Sequence, residues 1–339
     1  MVEWRTAQQN RTRKGPRFLF CGPIIDLAPP VHPAVTAIVD SAEWAQAIVD
    51  EIAAAGAWGI KIYAQIPPEL TQTIIARAKE HGLPAIGDLS ATRASEAINV
   101  GIYGLEHASV AYPDVVPVDR QAGFDFFHKH GAALWRREWN RGMAEVDATG
   151  PRAQQLARQF ADAGVFLDAT LVVIERLARI TDPDVTAAPG VAEMPESIRA
   201  GWEACAAGRR DNWSAQDFEL ARSAFAVSLA FTAEVRRAGG KLLVGSDAPN
   251  PFVVPGASLH RELELLVTAG MSPMEVLVAA TRGNAEALGL SHDLGTLTPG
   301  KIADVVLLEA NPLDDIANSR RVALVIQAGE IVARSAQSV

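Results

Sequence analysis

Short apolar runs alternate with amphipathic segments over most of the chain. The apolar runs span roughly five residues and end at glycine, proline or aspartate, which is typical of buried strands. The segments between them carry apolar residues at a spacing of three or four, which is typical of amphipathic helices. This alternation predicts βαβ units and a parallel sheet, with the carboxyl ends of the strands on one face. The predicted strands are residues 17–25, 59–64, 84–88, 103–107, 164–173 and the apolar run that begins at Lys241; the predicted helices lie near residues 41–56, 67–82, 92–101, 221–238, 258–270 and 272–289.

Two segments depart from this alternation of strands and helices. Residues 181–215 are rich in proline, aspartate and tryptophan, and they are long for a connection between a strand and a helix. Connections of that length often act as lids over functional sites. From Gly295 onward, the pattern changes to short apolar stretches that alternate with polar residues, which predicts a small β module.

The composition excludes several classes of protein. The chain has 339 residues, of which 49% are hydrophobic, so it can bury a large core in one or two domains. The formal net charge is −9 and no long cluster of Lys and Arg occurs, so nucleic acids and anionic membranes are poor partners. The two cysteines, Cys21 and Cys205, cannot build a disulfide framework. No apolar run reaches the roughly 18 residues of a membrane-spanning helix.

Four side chains with useful chemistry lie at or near the predicted strand ends: Lys61, Asp88, His107 and Asp247. A lysine inside an apolar strand must be neutral, paired or modified, because an isolated buried ammonium is costly. Carboxylate and imidazole groups on neighbouring strand ends suit zinc and similar divalent metals. Each residue alone has an ordinary explanation, such as a lysine that reaches solvent, a satisfied core histidine or an aspartate that starts a turn. Together, the four positions favour one shared site.

Several sequence motifs bear on the identity of the chain. They are Gly59-Ile60-Lys61-Ile62-Tyr63, Leu105-Glu106-His107, Gly245-Ser246-Asp247-Ala248-Pro249, Leu259-His260-Arg261-Glu262-Leu263, Ala279-Ala280-Thr281 with Asn284-Ala285, and Gly295-Thr296-Leu297 followed by Pro299-Gly300-Lys301-Ile302-Ala303-Asp304-Val305-Val306. On these motifs the chain resembles the metal-dependent amidohydrolase superfamily over residues 15–337. Within it, the chain is similar to imidazolonepropionase-like and Xaa-Pro dipeptidase-like members.

The resemblance implies a TIM-type (β/α)₈ barrel in residues 1–290 and the C-terminal part of a small β-sandwich in residues 291–339. It also implies hydrolysis of an amide-type C–N bond in a small cyclic amide or dipeptide-like substrate by metal-activated water. Lys61, His107 and Asp247 fall on the ligand positions of strands 4, 6 and 8. The lysine is implied to be carboxylated, and the aspartate to bind metal and transfer protons. One or two zinc ions, or manganese or iron, are the implied cofactors.

The sequence departs from the family pattern in two ways. Asp88 stands where the histidine of strand 5 belongs, and no His-x-His pair precedes Lys61. Residues 17–25 match strand 3, so we expect an incomplete barrel that lacks strands 1 and 2. The chain then resembles a family member without its N-terminal part. The alternative to an active hydrolase is therefore a non-catalytic or truncated amidohydrolase-fold protein with a degraded metal site.

The remaining candidates have less specific signals. Tyr63 and Asn250 are predicted to contact substrate, whereas His260 and Glu262 are predicted to be structural. The only His-x-His pair, His128-Lys129-His130, is interpreted as part of a solvated helix face. Four tryptophans either line a substrate lid or pack in the core, the latter being the default for this residue type: Trp135, Trp139, Trp202 and Trp213.

The expected partner is a small-molecule substrate. Open sheet edges of an incomplete barrel would favour homo-oligomers. The N-terminal residues are polar and basic and contain no apolar segment of signal-peptide length. A cytoplasmic location is therefore the default expectation, unless a signal peptide was lost with a missing N-terminal part.

Overall fold

The computed structural model describes residues 2–9, 15–116 and 132–334. A parallel sheet of seven short strands has the order β2-β1-β3-β4-β5-β6-β7. Its strands are β1 (Ile24–Asp26), β2 (Thr36–Ile38), β3 (Ile60–Ile62), β4 (Ala85–Gly87), β5 (Gly104–Glu106), β6 (Phe166–Asp168) and β7 (Lys241–Leu243). Every pairing in this sheet is parallel, so all carboxyl ends lie on one face. The predicted α/β barrel class is confirmed.

Helices connect the strands and cover the sheet. The helices are Val2–Gln9, Ala42–Ala54, Pro68–Glu80, Ala94–Asn99, Tyr112–Val115, Ala132–Ala144, Pro151–Ala163, Leu171–Ala178, Pro183–Thr186, Glu196–Asn212, Ala215–Arg237, Ala257–Thr268, Pro273–Val278 and Asn284–Ala287, with 3₁₀ turns at Pro33–Val35, Ala108–Ala111 and Ile316–Arg320 and a π turn at Ala279–Gly283. Their apolar faces meet strand residues such as Ile25, Ile60 and Ile62 in one large core, where all three side chains are 0% exposed. Burial of this layer leaves the opposite side chains of the strands for the site.

The structure corrects two of the predicted strands. Residues 17–25 contribute only their last two positions to β1, which ends at Asp26. The predicted strand 164–173 is wrong beyond Asp168, because a helix begins at Leu171. Leu171 and Val172 are both 0% exposed, and a short apolar run that is buried on all sides has no periodicity to separate helix from strand. The edge strand β2 was not predicted, since its three residues follow a loop rich in proline.

Residues 181–215 form two helices rather than an irregular connection, namely Pro183–Thr186 and Glu196–Asn212. Trp202 is 4% exposed, packs against Phe252 and donates from Nε1 to Pro249 O at 3.0 Å. The segment thus contacts the loop that follows β7. Trp139 is also buried, beside Tyr112, so core packing accounts for both tryptophans. The side chain of Trp135 and the pair His128 and His130 lie outside the described residues.

A separate antiparallel sheet of three strands lies near the C-terminus, in the order β10-β9-β8. It consists of β8 (Val305–Leu308), β9 (Val322–Gln327) and β10 (Glu330–Arg334). The predicted small β module is confirmed, whereas the boundary at residue 290 stays a prediction. Across the described ranges, no helix is both long enough and apolar enough to cross a membrane.

The helix Pro273–Val278 offers a test of pH dependence. The Glu275 carboxylate accepts from Ser272 N and Ser272 Oγ, both at 2.7 Å, and from Arg236. The backbone bond from Ser272 is the main reason that the pKa of Glu275 falls from 4.5 to about 2. Because the folded-state pKa is lowered, this stabilisation is present above pH 4.5 and is lost as the pH falls through about 2.

We therefore expect Glu275→Gln to lower the free energy of unfolding at pH 7 by less than about 1 kcal/mol, since the group is exposed. The difference from the parent chain should shrink between pH 4.5 and pH 2. Urea unfolding at several pH values measures it. A difference that stays constant over this range would contradict the ionised capping box.

Candidate active site

The carboxyl ends of the central strands bring the predicted residues together. Backbone pairing continues beyond the strand ends, since Asp88 N donates to Ile62 O at 3.1 Å and His107 N donates to Asp168 O at 2.8 Å. These bonds fix Asp88 and His107 relative to the neighbouring strands. Asp247 follows β7 in a loop and reaches the same place.

His107 lies at the centre of the group. Its Nε2 is 3.5 Å from Oδ2 of Asp88 and 3.9 Å from Oδ2 of Asp247, and its Nδ1 is 2.5 Å from Oγ1 of Thr170. Burial lowers the pKa of His107, but the charges of Asp88 and Asp247 outweigh burial and raise the pKa to about 9. A histidine that binds metal must be neutral, so metal binding here would release a proton.

Lys61 is paired rather than isolated. It lies between Ile60 and Ile62, and since successive side chains of a strand point to opposite faces, it points away from their buried layer. Its Nζ is 3.6 Å from Oε1 of Glu106, and each of the two side chains is 19% exposed. Of the three states that the sequence allowed for this lysine, the structure shows the paired one. The carboxylated form stays a prediction.

Asp168 is a fourth carboxylate of this site. It is the register partner of Glu106 across β5 and β6, so the two acids lie side by side. Desolvation by burial, together with the charge of Glu106, raises the pKa of Asp168 to about 7. Its Oδ1 is buried and has no hydrogen-bond partner among the residues that the structure describes. This oxygen is therefore a buried acceptor left unsatisfied by the described residues.

Sequence reasoning missed three residues of the site: Glu106, Asp168 and Thr170. Glu106 was noticed only as part of the Leu105-Glu106-His107 motif, and Asp168 only as part of a strand. The available signal was an acidic residue at the end of a predicted parallel strand, the same signal that selected Asp88. For Thr170 we find no signal in the sequence, because its contact with His107 depends on the pairing of β5 with β6.

The backbone is unusual at the same place. Within the described residues, five non-glycine residues have a positive φ, and three of them belong to this site: His107 at 66°, Thr170 at 42° and Asp247 at 57°. Such conformations cost about 1–3 kcal/mol each and cluster at functional sites, where the surrounding structure enforces them. This clustering supports a functional role for the strand ends.

Two polar pairs border the site. Asn250 Nδ2 donates to Oδ2 of Asp247 at 2.7 Å, which orients the carboxylate. The hydroxyl of Tyr63 lies 2.9 Å from Nε2 of His32, a residue of the loop between β1 and β2. The substrate contacts predicted for Tyr63 and Asn250 stay predictions. Glu262, predicted to be structural, accepts backbone hydrogen bonds at the start of the helix Leu171–Ala178.

Gly245 makes room for Asp168. A Cβ at residue 245 would lie 2.1 Å from Oδ2 of Asp168 and 2.9 Å from its Cγ. Gly245→Ala is therefore expected to displace the carboxylate and to lower the free energy of unfolding by about 1–3 kcal/mol. Urea unfolding measures the change. Gly201→Ala is the matched control, because a Cβ at this helical position meets no described atom within 4 Å and alanine favours helix. Equal stabilities of the two variants would contradict the close contact.

The donor chemistry of the site fits a divalent cation. It offers one imidazole and the carboxylates of Asp88, Asp247, Glu106 and Asp168, which outnumber the positive charges of Lys61 and His107. Among these oxygens, Oδ1 of Asp168 has no hydrogen-bond partner in the described residues. In the described ranges, however, no three His, Cys, Asp or Glu side chains are already arranged as a metal-binding group.

The fold and the site together define an α/β barrel-type protein with a polar site at the carboxyl ends of its strands. A sequence profile described as the amidohydrolase family matches residues 6–332. The chain therefore belongs to the amidohydrolase family, whose members generally bind divalent metals. The resemblance stated from the sequence motifs is confirmed.

Two solved structures share this fold. A bottromycin amidohydrolase aligns with a TM-score of 0.76 and 24% identity over 97% of this chain and 68% of its own. A Xaa-Pro dipeptidase with methionine bound in its active site aligns with a TM-score of 0.65 and 18% identity over 98% of this chain and 71% of its own.

Matches to curated relatives are shorter. An adenine deaminase of Rubrobacter xylanophilus is 40% identical over 98 residues, which are 29% of this chain and 15% of the relative. An imidazolonepropionase of Pseudomonas entomophila is 44% identical over 73 residues, which are 21% of this chain and 18% of the relative. The matched part thus spans less than a fifth of the length of either protein.

Proposed function

We propose that this protein hydrolyses an amide-type C–N bond in a small cyclic amide or dipeptide-like substrate, using a water activated by a divalent metal. The observation that carries the proposal is the convergence of Asp88, His107 and Asp247 beside the Lys61–Glu106 pair. Family membership supports the reaction class. The relatives named imidazolonepropionase and Xaa-Pro dipeptidase support the two substrate classes.

Asp88, His107 and Asp247 would hold the metal, together with Lys61 in a carboxylated form. When bound, zinc or a similar ion lowers the pKa of a water ligand to about 7 and polarises the substrate carbonyl. Asp247 would take the proton of the water and give it to the leaving amine. Asn250 holds the Asp247 carboxylate in orientation, and Thr170 holds the His107 ring. Tyr63 and His32 would contact substrate at the border of the site.

A second candidate is a non-catalytic protein that keeps the fold and binds a ligand at the same face. It is favoured by Asp88 at a histidine position and by the lack, among described side chains, of a ready-made group of three metal ligands. In a non-catalytic protein, Lys61 would stay paired with Glu106 and would not become a metal ligand.

An assay of the full chain separates the two candidates. The purified protein is incubated with cyclic amides and with Xaa-Pro dipeptides, in zinc or manganese and in parallel with a chelator. The proposal predicts chelator-sensitive release of product from at least one substrate class. Turnover no higher than that of an Asp247→Asn variant, for every substrate and metal, would contradict it.

Asp88→His is expected to raise the affinity for zinc by about tenfold or more, because it restores a nitrogen ligand and removes one of several crowded carboxylates. Isothermal titration with zinc alone measures the affinity. Asp314→His, at an exposed aspartate, is the matched control. An affinity that is unchanged or lower would show that residue 88 is not at a ligand position.

A further inference from the structure

The helix Leu171–Ala178 lacks a capping hydrogen bond from the side chain of its own N-cap residue. Thr170 stands at the N-cap position, where a threonine hydroxyl normally accepts a hydrogen bond from the amide two or three residues ahead. Here it makes no side-chain cap bond, and its φ is 42°. Its hydroxyl instead lies 2.5 Å from Nδ1 of His107. The hydroxyl that should cap the helix therefore holds the histidine.

Glu262, a residue of another helix, Ala257–Thr268, caps this helix in place of Thr170. Its Oε1 accepts from Leu171 N at 2.9 Å and its Oε2 accepts from Val172 N at 2.6 Å. Glu262, Leu171 and Val172 are all 0% exposed, so water cannot replace these bonds. Unpaired amides buried at this depth would be costly. A carboxylate at a helix N-terminus is also favoured by the helix dipole.

We infer that Glu262 is a positioning residue for His107. By binding the two amides that follow Thr170, it fixes the start of the helix and holds Thr170 in its left-handed conformation. That conformation points the threonine hydroxyl at Nδ1 of His107, and the bond sets the orientation of the ring whose Nε2 faces Asp88 and Asp247. Outer partners of this kind orient ligating histidines.

A neighbouring contact provides a matched control. Arg261 precedes Glu262 on the same helix, and its Nη2 and Nε bind the two oxygens of Glu175 at 2.7 and 3.0 Å. Glu175 lies inside the helix Leu171–Ala178 and is 3% exposed. Arg261 thus joins the same two helices without contacting the amides next to Thr170. Its loss should weaken packing but leave the His107 ring in place.

The test records the ring nitrogens of His107 in the ¹⁵N-histidine-labelled full chain by long-range ¹H–¹⁵N NMR at constant pH. The chain has seven histidines, and the resonances missing from His107→Gln assign this one. The variants are Glu262→Gln, which keeps the shape but has one acceptor oxygen for two amides; Thr170→Val, which removes the hydroxyl; Thr170→Ser, which keeps it; and Arg261→Met. The relevance of this inference to catalysis rests on the proposed function. The NMR measurement needs neither metal nor turnover, so its result is independent of whether the protein is an active hydrolase.

We expect Glu262→Gln and Thr170→Val to displace the His107 nitrogen resonances in the same direction. Thr170→Ser and Arg261→Met should leave them at the parent positions. Amide exchange at Leu171 and Val172 should become about tenfold faster, or more, in Glu262→Gln than in the parent. If Glu262→Gln does not fold, Glu262→Asp takes its place, since it keeps the carboxyl group but reaches less far. Parent-like His107 resonances in a folded Glu262 variant, or an equal displacement in Arg261→Met, would overturn the inference.

Discussion

Asp247→Asn is expected to lower kcat for amide hydrolysis by about 100- to 10,000-fold, because it removes the carboxylate that we propose to hold the metal and to move the proton. Asparagine is chosen because residue 247 has a φ of 57°, a conformation that asparagine tolerates and alanine does not. KM and the unfolding midpoint should therefore remain near the parent values. Steady-state kinetics and thermal unfolding measure the three quantities.

Asp314→Asn controls for the change of charge, since Asp314 is exposed and lies outside the site. It should retain parent activity. A folded Asp247→Asn variant with kcat within a factor of about three of the parent would remove Asp247 from proton transfer.

Lys61→Met should reduce both stability and activity. Loss of the Lys61 ammonium, which lies 3.6 Å from Glu106, leaves Glu106 next to Asp168 without a cation. We therefore expect a decrease of about 1–3 kcal/mol in the free energy of unfolding. The value of kcat/KM should fall by about 100-fold or more, because the site loses a charged group that helps to organise it. Urea unfolding and steady-state kinetics test the two effects.

The double variant Lys61→Met/Glu106→Gln separates these effects. It removes both charges of the pair and should recover most of the stability, since no carboxylate at residue 106 is left unpaired. Activity should stay low if Lys61 takes part in binding the metal. Recovery of activity along with stability would mean that the lysine only neutralises Glu106.

Much of the site could be predicted because a parallel sheet places the ends of its strands together. Asp88 and His107 are recognisable in the sequence as polar residues that end apolar runs, and the chain direction of the strands brings them to one face. Lys61 is recognisable because an ammonium between Ile60 and Ile62 needs a partner. The identity of that partner, Glu106, was not predictable, since it lies on β5, which β4 separates from the strand of Lys61.

The parts that sequence reasoning missed depend on distant contacts. Asp168 pairs with Glu106 through the register of β5 and β6, which no local pattern specifies. The helix at Leu171 is capped by Glu262, which lies 91 residues later. Because this contact is not visible in the sequence, the apolar run was interpreted as a continuation of β6. The strand β2 has three residues and exists through its pairing with β1, so its own sequence carries little signal.

The metal content of the full chain is the direct test of our proposal that these strand ends assemble a metal site. Zinc, manganese and iron are measured by elemental mass spectrometry in protein purified without chelator, beside a His107→Asn variant that lacks the imidazole. We expect about one or two ions per chain in the parent and a clear loss in the variant. Folded parent protein with no metal above background would contradict it.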